Sequence, residues 1–380
     1  MSFEDLSKYA YEDRQKLLLI REVLEASAVS LKCDSLDYSD YSVEPEVLYD
    51  KIPLSKYCPE CGRRYPDREN FCFDCLVSLK DLKEVNVREI EMDPVFEVAK
   101  SNNPDSFEEI LTDDNLDKIV EFDFTYPQLT GILKNIKRIA FTRLDNTIKE
   151  NEIFLGSLSV LDKITLFAKS FARIEYKSYG YELGYFEFDR IYVDDRQLQG
   201  LQITTILHEL SHFLIKEILT HIICEILDCT KTAEIEAIAI FILSSSPVNR
   251  LIDEYCAHTV EGRFTLFGYQ DYSSYLSIEK TIDAPEEEIE MIKTIGNSFA
   301  TLIKDILESF IDDDLLEDIK EQFRNDVLDE PDYKNLYLEN CRLLNDTGMI
   351  QAIKMILVDG FSSSMGNVDT LKDYAKEMKK

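Results

Sequence analysis

Residues 203–219, ITTILHELSHFLIKEIL, decide how this chain is interpreted. The stretch is apolar with helical spacing, and it carries His208, Glu209 and His212 in the pattern HExxH. Residues four apart lie on the same face of a helix, so the two imidazoles can bind one zinc ion with Glu209 beside it. Because an apolar helix needs a reason to carry imidazoles, and the chain has only four His, the pattern predicts a metal site rather than a surface helix.

A second metal pattern lies nearer the N-terminus, in KYCPECGRRYPDRENFCFDCLVSL (residues 56–79). Four of the nine cysteines form two CxxC pairs there: Cys58, Cys61, Cys72 and Cys75. The pattern looks like a zinc ribbon, and four thiolates leave no open position on the metal, so this zinc is predicted to be structural. Gly62 can take the positive φ of a zinc knuckle, whereas Leu76 occupies the corresponding place after the second pair.

Composition limits the classes of function. With 380 residues and 45% hydrophobic residues, the chain can form two or three domains with a sizeable core. Its net charge of −32 repels phosphates and anionic lipids, which counts against nucleic-acid and membrane partners. The N-terminus is charged from residue 4, which is not the pattern of a signal peptide. The longest strongly apolar run, residues 237–243, is too short to be predicted as a membrane span. Paired cysteines in an odd total suit a reducing compartment, so we expect a cytoplasmic protein.

Changes in composition and periodicity predict an α+β fold that is mostly helical, in five regions. They are an N-terminal helix and acidic linker (1–50), a zinc ribbon (51–80), a mainly helical connector (81–149), a metal-binding core (150–275) and an acidic C-terminal helical region (276–380). In the core, an amphipathic helix precedes alternating residues 174–195, which predict a small antiparallel sheet ahead of the HExxH helix.

This order of helix, short sheet and HExxH helix resembles the zincin metallopeptidases over roughly residues 150–270. The resemblance implies a zincin-like catalytic core, a peptide or protein substrate and a catalytic zinc, which with the structural zinc of the ribbon makes two zinc ions in all. It also implies Glu209 as the general base that takes a proton from water and passes it to the leaving amine. A catalytic zinc needs three protein ligands and one open position, so a third ligand must follow the HExxH helix.

Two carboxylates are candidates for that third ligand. Glu254 with Ala257 is similar to the second motif of the gluzincins, in which a following helix supplies a Glu. The residue four positions after that Glu is usually Asp, and this chain has His258 there. Glu236, in an EIEA stretch with Pro247 downstream, is similar instead to the ImmA/IrrE-type metallopeptidases. We favour Glu254 and keep Glu236 as the alternative ligand.

The remaining expectations concern the reaction and the partners. We expect His258 to take part in catalysis, either by orienting a ligand or by donating to the oxyanion, and Asp253 to brace a ligand imidazole. Three further candidate donors are Tyr269, Tyr272 and Tyr275. The ribbon is a candidate surface for a protein partner. The alternative function is a zinc-stabilised regulatory or protein-binding module whose zincin core does not catalyse.

Overall fold

The computed structural model describes residues 55–83, 85–92, 104, 106–177, 183–266, 275–326 and 342–379. The predicted N-terminal helix and acidic linker of residues 1–50 lie outside this part of the chain. The chain divides into two compact units, Met1–Glu84 and Val85–Lys380. The fold class is as predicted, α+β and mostly helical, and twelve helices fall within the described residues.

The first unit contains the cysteine region, built from five strands of two residues each. They are β1 (Lys56–Tyr57), β2 (Arg64–Tyr65), β3 (Phe71–Cys72), β4 (Val77–Ser78) and β5 (Lys80–Asp81). Strand β1 pairs antiparallel with β2 and β5, and β3 pairs antiparallel with β4. Cys58, Tyr65 and Cys72 form a small buried core, against which Cys75, Val77 and Leu79 pack. Among residues 55–83 this core is small, so a metal bound by the cysteine cluster would add substantially to the stability of this segment.

The second unit contains a three-stranded sheet next to the HExxH helix. Its strands are β6 (Arg173–Lys177), β7 (Gly184–Glu187) and β8 (Arg190–Asp194), in the order β6-β8-β7. The predicted antiparallel pairing is found between β7 and β8, which a two-residue turn connects. Strand β6 runs parallel to β8, so the sheet is mixed. Alternation along a short strand marks its faces and not its direction, which explains the difference.

The helices account for most of the second unit. They are α1 (Phe107–Ile110), α2 (Asp113–Glu121), α3 (Tyr126–Glu150), α4 (Val160–Lys169), α5 (Gln199–Leu227), α6 (Ala233–Ser244), α7 (Pro247–Phe264), α8 (Tyr275–Glu279), α9 (Glu286–Leu307), α10 (Asp313–Asp326), α11 (Asp346–Met365) and α12 (Val368–Met378). Helix α5 carries the HExxH pattern and is buried along most of its length. Helices α4, α6, α7 and α10 all pack against it, so the HExxH pattern lies among packed helices.

Both ends of α5 are defined by specific backbone contacts. Its N-cap, Leu198, offers no capping side chain, and instead the Gly200 amide donates to the Asp326 carboxylate of α10 at 2.7 Å. At the other end Asp228 takes a left-handed φ of 50°, and its amide donates to the Cys224 carbonyl. A negatively charged group stabilises the N-terminus of a helix, and a residue with left-handed backbone conformation commonly ends a helix at its C-terminus. These contacts fix the length of the helix that positions the site.

Helix α7 is held close to its neighbour α9 by a glycine. A Cβ atom added to Gly296 would lie 2.9 Å from the carbonyl oxygen of Ile252 on α7. Thr259 on α7 also donates a hydrogen bond to the Asn297 side chain at 2.9 Å. These contacts matter because α7 carries Glu254 and His258. Within the described residues, no single helix is long and apolar enough to cross a membrane; only α6 and α7 taken together pass that test, with a 95° bend between them.

Candidate metal centres

The four predicted cysteines of the ribbon converge on one point. Their Sγ atoms all lie within 4.8 Å of one another, and the Cys61 and Cys72 sulfurs are 3.8 Å apart. A tetrahedral zinc with Zn–S bonds of about 2.3 Å requires sulfurs about 3.8 Å apart, so this spacing fits the metal. Cys58 and Cys72 are buried, Cys75 is half-buried and Cys61 is exposed.

The two knuckles have matching backbone turns. The Gly62 amide donates to the Cys58 carbonyl at 2.9 Å, and the Leu76 amide donates to the Cys72 carbonyl at 2.8 Å. Both residues have positive φ, 73° at Gly62 and 56° at Leu76. Leu76 therefore adopts the conformation expected of a glycine, although a left-handed Leu costs about 1–2 kcal/mol. The departure seen in the sequence changes the residue and not the turn.

The surroundings of Cys72 favour its thiolate. Burial raises the pKa of this thiol, but donors led by the Tyr65 hydroxyl, 3.0 Å from the sulfur, outweigh burial and lower the pKa to about 6. The thiolate is the form of cysteine that binds metal. Tyr65 thus supports the cluster from outside it, a role the sequence analysis did not assign.

The structure also brings together the favoured set at the HExxH pattern. His208, His212 and Glu254 each offer one atom within 4.8 Å of the others. The two Nε2 atoms are 3.2 Å apart, and His208 Nε2 lies 3.9 Å from Glu254 Oε2. With Zn–N bonds of 2.0–2.1 Å, a tetrahedral site needs nitrogens about 3.4 Å apart. The imidazoles come from adjacent turns of α5, and the carboxylate comes from α7, which packs across it.

The other nitrogen of each imidazole faces a carboxylate of α7. His208 Nδ1 lies 2.7 Å from Glu261 Oε2, and His212 Nδ1 lies 3.0 Å from Asp253 Oδ2. The His208 contact is a hydrogen bond, and the His212 contact is a close charged contact. Carboxylates placed in this way orient a ligand imidazole so that its Nε2 faces the metal. Asp253 is where the sequence analysis expected a brace. Glu261 was missed, although it lies seven residues after Glu254, two turns along the same helix face, which is a signal the sequence does contain.

His258 is in this cluster but not in the position of a third ligand beside His212. Its Nδ1 lies 3.3 Å from Glu261 Oε2, and its ring centroid is 4.5 Å from that of His208. His208, His258 and Glu261 could by distance hold a metal themselves. The 2.7 Å separation of His208 and Glu261 is a hydrogen-bond length, however, and is shorter than the roughly 3.3 Å edge of a zinc site. We therefore assign Glu261 as a hydrogen-bond partner.

The predicted tyrosine donors are only partly covered by the structure. Tyr269 and Tyr272 lie outside the described residues. Tyr275 is buried, and its ring is 5.6 Å from that of Tyr255 and 5.8 Å from that of His258. Its ring therefore packs beside the cluster.

The electrostatic surroundings of the cluster favour positive charge. Burial alone would lower the pKa of His212, but Asp253, followed by Glu254 and Glu209, raises it to about 10. Burial is likewise outweighed at His208, whose pKa is raised chiefly by Glu261. Carboxylates that draw protons onto buried imidazoles also stabilise a divalent cation in the protons' place.

Glu209, the predicted base, is buried with the cluster. It is 9% exposed, and burial raises the pKa of its carboxyl above the usual range, with His208 and His212 opposing that effect. His258 has a lowered pKa, because it is buried and because His208 lies close to it. The cluster thus combines imidazoles and carboxylates whose proton affinities are set by one another.

Glu236, the alternative third ligand, lies elsewhere. Its Oε1 is 2.7 Å from the Lys216 ammonium and 3.0 Å from that of Lys231. The same two lysines contact Glu217, at 2.6 Å and 2.7 Å. We call Lys216, Glu217, Lys231 and Glu236 the ion tetrad. Lys216 is fully buried, and the tetrad links α5 to α6 and to the segment between them. Glu236 therefore has two cations of its own and is not part of the His208 cluster.

Comparisons of this chain with protein families, with curated proteins and with solved structures gave no match. The protein has a mostly helical α+β fold. It has a Cys₄ cluster and a His/Glu cluster that could each hold a metal ion.

Proposed function

We propose that the protein is a zinc-dependent metallopeptidase, with a catalytic zinc on His208, His212 and Glu254 and a structural zinc on the four ribbon cysteines. The observation that carries the proposal is the approach of the two imidazole Nε2 atoms to 3.2 Å beside Glu254. Two imidazole nitrogens this close can share a proton as a hydrogen bond, but a shared metal ion also accounts for the carboxylate of Glu254 beside them.

The donor sets support zinc at both places. Four thiolates in a closed cluster suit a structural zinc, and two imidazoles with one carboxylate suit a zinc that keeps an open position. Carboxylates behind both imidazoles complete the arrangement that strengthens such ligands. The excess of carboxylates over imidazoles also favours a divalent cation on grounds of charge.

The chemistry follows from the positions of the chain's own groups. A zinc ion bound there would supply Lewis acidity to a water molecule and to the scissile carbonyl. Glu209 follows His208 directly and lies among the same carboxylates and imidazoles, so it would accept the water's proton and return it to the leaving amine. Asp253 and Glu261 would keep the imidazoles oriented while this proton moves.

His258 is a candidate to assist this reaction near His208. Its lowered pKa supports a neutral ring with a single N–H proton, and donation to an oxyanion requires that proton on Nε2 and not on the Nδ1 that lies 3.3 Å from Glu261. A neutral imidazole can donate a hydrogen bond to a developing oxyanion, the role considered for it from the sequence. A His258→Ala variant that keeps its zinc but cleaves peptides more slowly would support this assignment.

The ribbon supports a contact with another protein as well as a structural zinc. Phe73 and Leu76, beside the second cysteine pair, are 69% and 72% exposed. Large apolar side chains on so small a unit favour a protein partner over free solvent.

The test of the proposal combines metal counting with peptide cleavage. Mass spectrometry of the intact protein should find two zinc ions in the wild type and in Glu236→Ala, and about one in Glu254→Ala. Glu209→Gln should keep both zinc ions and lose cleavage of a mixed peptide library. One zinc in the wild type, unaffected by either substitution at Glu254 or Glu236, would mean that the HExxH cluster binds no metal, and the peptidase proposal would be abandoned.

A second candidate is a zinc-stabilised regulatory or protein-binding module. Burial favours it, because Glu209 is only 9% and the ligand His212 only 8% exposed, and a peptide needs access to Glu209 and to the metal beside it. Two zinc ions without peptide cleavage in the wild type, together with unchanged behaviour of Glu209→Gln, would favour this candidate.

A further inference from the structure

We infer that Glu261 is the positioning residue of the metal site: one of its carboxylate oxygens holds the His208 imidazole by a hydrogen bond and also lies close to the ring of His258. The inference rests on the proposed metal site and not on catalysis. It replaces the expectation from the sequence that His258 itself orients a ligand.

The geometry places a single oxygen between two rings. Glu261 Oε2 lies 2.7 Å from His208 Nδ1 and 3.3 Å from His258 Nδ1. Since a carboxylate only accepts, the short contact requires a proton on His208 Nδ1, which leaves the lone pair on Nε2. That Nε2 is the atom that faces His212 and Glu254. Glu261 therefore selects the tautomer of His208 that can bind a metal.

Burying the Glu261 carboxylate costs free energy, so its presence needs a compensating interaction. Glu261 is 2% exposed, and its second oxygen, Oε1, is among the buried side-chain atoms without a hydrogen-bond partner in the described structure. Leaving part of a carboxylate unsatisfied costs about 1–3 kcal/mol or more. A purely structural helix position would be served better by an apolar residue, so the carboxylate is explained by the two imidazoles it faces.

Both outer carboxylates of the site come from helix α7. Asp253 and Glu261 lie on either side of the ligand Glu254, and each faces the Nδ1 atom of a different HExxH imidazole. One helix thus supplies the third ligand and both outer carboxylates. Any shift of α7 would move all three together, and the effect of Glu261 can be separated from such a shift by an isosteric substitution.

The experiment measures metal affinity and coordination in the full-length protein. Glu261→Gln keeps the shape and one acceptor oxygen but removes the charge, and Glu261→Ala removes both. Competition with a zinc chelator should show the affinity of the HExxH site falling about 10–100-fold in Glu261→Ala and less in Glu261→Gln. The ribbon zinc in each variant is an internal control and should bind as in the wild type.

Two further measurements distinguish positioning from a contribution to stability. The visible spectrum of the cobalt-substituted protein should change in Glu261→Ala, because the His208 ring is released. Nitrogen NMR should find a proton on His208 Nδ1 in the wild type and in Glu261→Gln, and a mixture of tautomers in Glu261→Ala. If the alanine variant does not fold, the glutamine variant still gives the affinity and the spectrum.

The outcomes separate this inference from the proposed function. Wild type with two zinc ions and Glu261 variants with unchanged affinity and cobalt spectrum would overturn the inference alone. A wild type that binds zinc only at the ribbon would overturn the proposed function and the inference with it.

Discussion

Replacing Lys216 by Met would remove a fully buried cation from the ion tetrad while keeping an unbranched chain of similar length. Lys216 lies 2.6 Å from Glu217 and 2.7 Å from Glu236, and after the change Lys231 alone faces both carboxylates. Breaking a buried ion pair by removing one partner costs roughly 3–5 kcal/mol. Because Lys231 remains at 2.7 Å and 3.0 Å from the two carboxylates, we expect the low end, about 3 kcal/mol.

Urea denaturation followed by circular dichroism, with zinc held constant, would measure this change. In a unit of this size, about 3 kcal/mol corresponds to a drop in melting temperature of roughly 6 °C. The matched control is Lys372→Met, which breaks the exposed pair of Lys372 and Glu108 and should leave stability unchanged.

A second substitution tests the cause of the effect. Glu236→Gln added to Lys216→Met restores the balance of charge in the tetrad, so the double variant should be more stable than Lys216→Met by about 1–2 kcal/mol. It should also keep both zinc ions, since Glu236 is placed away from the His208 cluster. A double variant destabilised by the sum of the two single changes would show that the four charges do not act as a unit, and the reasoning would be refuted.

Three other predictions follow from the same contacts. Burial raises the pKa of Glu217, but Lys216 and Lys231 outweigh burial and hold that pKa below its ordinary 4.5. The ionised carboxylate therefore stabilises the fold above pH 4.5, and this stabilisation is lost as pH falls below that value. A pH titration of the free energy of unfolding should show a steeper decrease in acid for the wild type than for Lys216→Met. Leu76→Gly should relieve a left-handed φ of 56° and stabilise the ribbon by about 0.5–1 kcal/mol, seen as slower loss of zinc to a chelator; faster loss would contradict the assigned strain. Gly296→Ala should cost about 1–3 kcal/mol of stability and weaken zinc binding at the HExxH cluster, because its Cβ would lie 2.9 Å from a backbone carbonyl of α7. Gly131→Ala is the control and should not destabilise, since nothing lies within 4 Å of its Cβ. Equal melting temperatures for the two variants would argue against close packing of α7 and α9.

The parts of the site that the sequence could predict are those whose residues lie close together in the chain. The pairs Cys58–Cys61 and Cys72–Cys75, and the His208–His212 step, each lie within one turn of chain, so the pattern alone places their donor atoms side by side. Glu254 and Glu236 each had a family resemblance, and the polar turn around Glu254 favoured it; the structure places Glu254 beside His208.

The parts that sequence could not predict depend on which helices meet. Glu261 acts on His208 only because α7 packs across α5, and periodicity gives the faces of the two helices without giving their approach. The ion tetrad was missed for the same reason, although Lys216 is a lone cation within the apolar run FLIKEIL and so needed a buried partner. The parallel pairing of β6 with β8 is also a property of the chain path and not of the strand sequences.

The spacing of the two candidate ligand sets along the chain has a consequence for the order in which they could bind metal. All four cysteines fall within residues 58–75, so closing that short loop costs little entropy, and the set is complete before the ribosome has made the first imidazole of α5. The second set needs residues 208 to 254 and the docking of two helices, so it can form only after most of the second unit has folded. If both sets bind zinc as proposed, we expect the ribbon site to fill during synthesis and the second site later, once the second unit has folded, so the free zinc available at that later time decides how much of the protein is fully loaded.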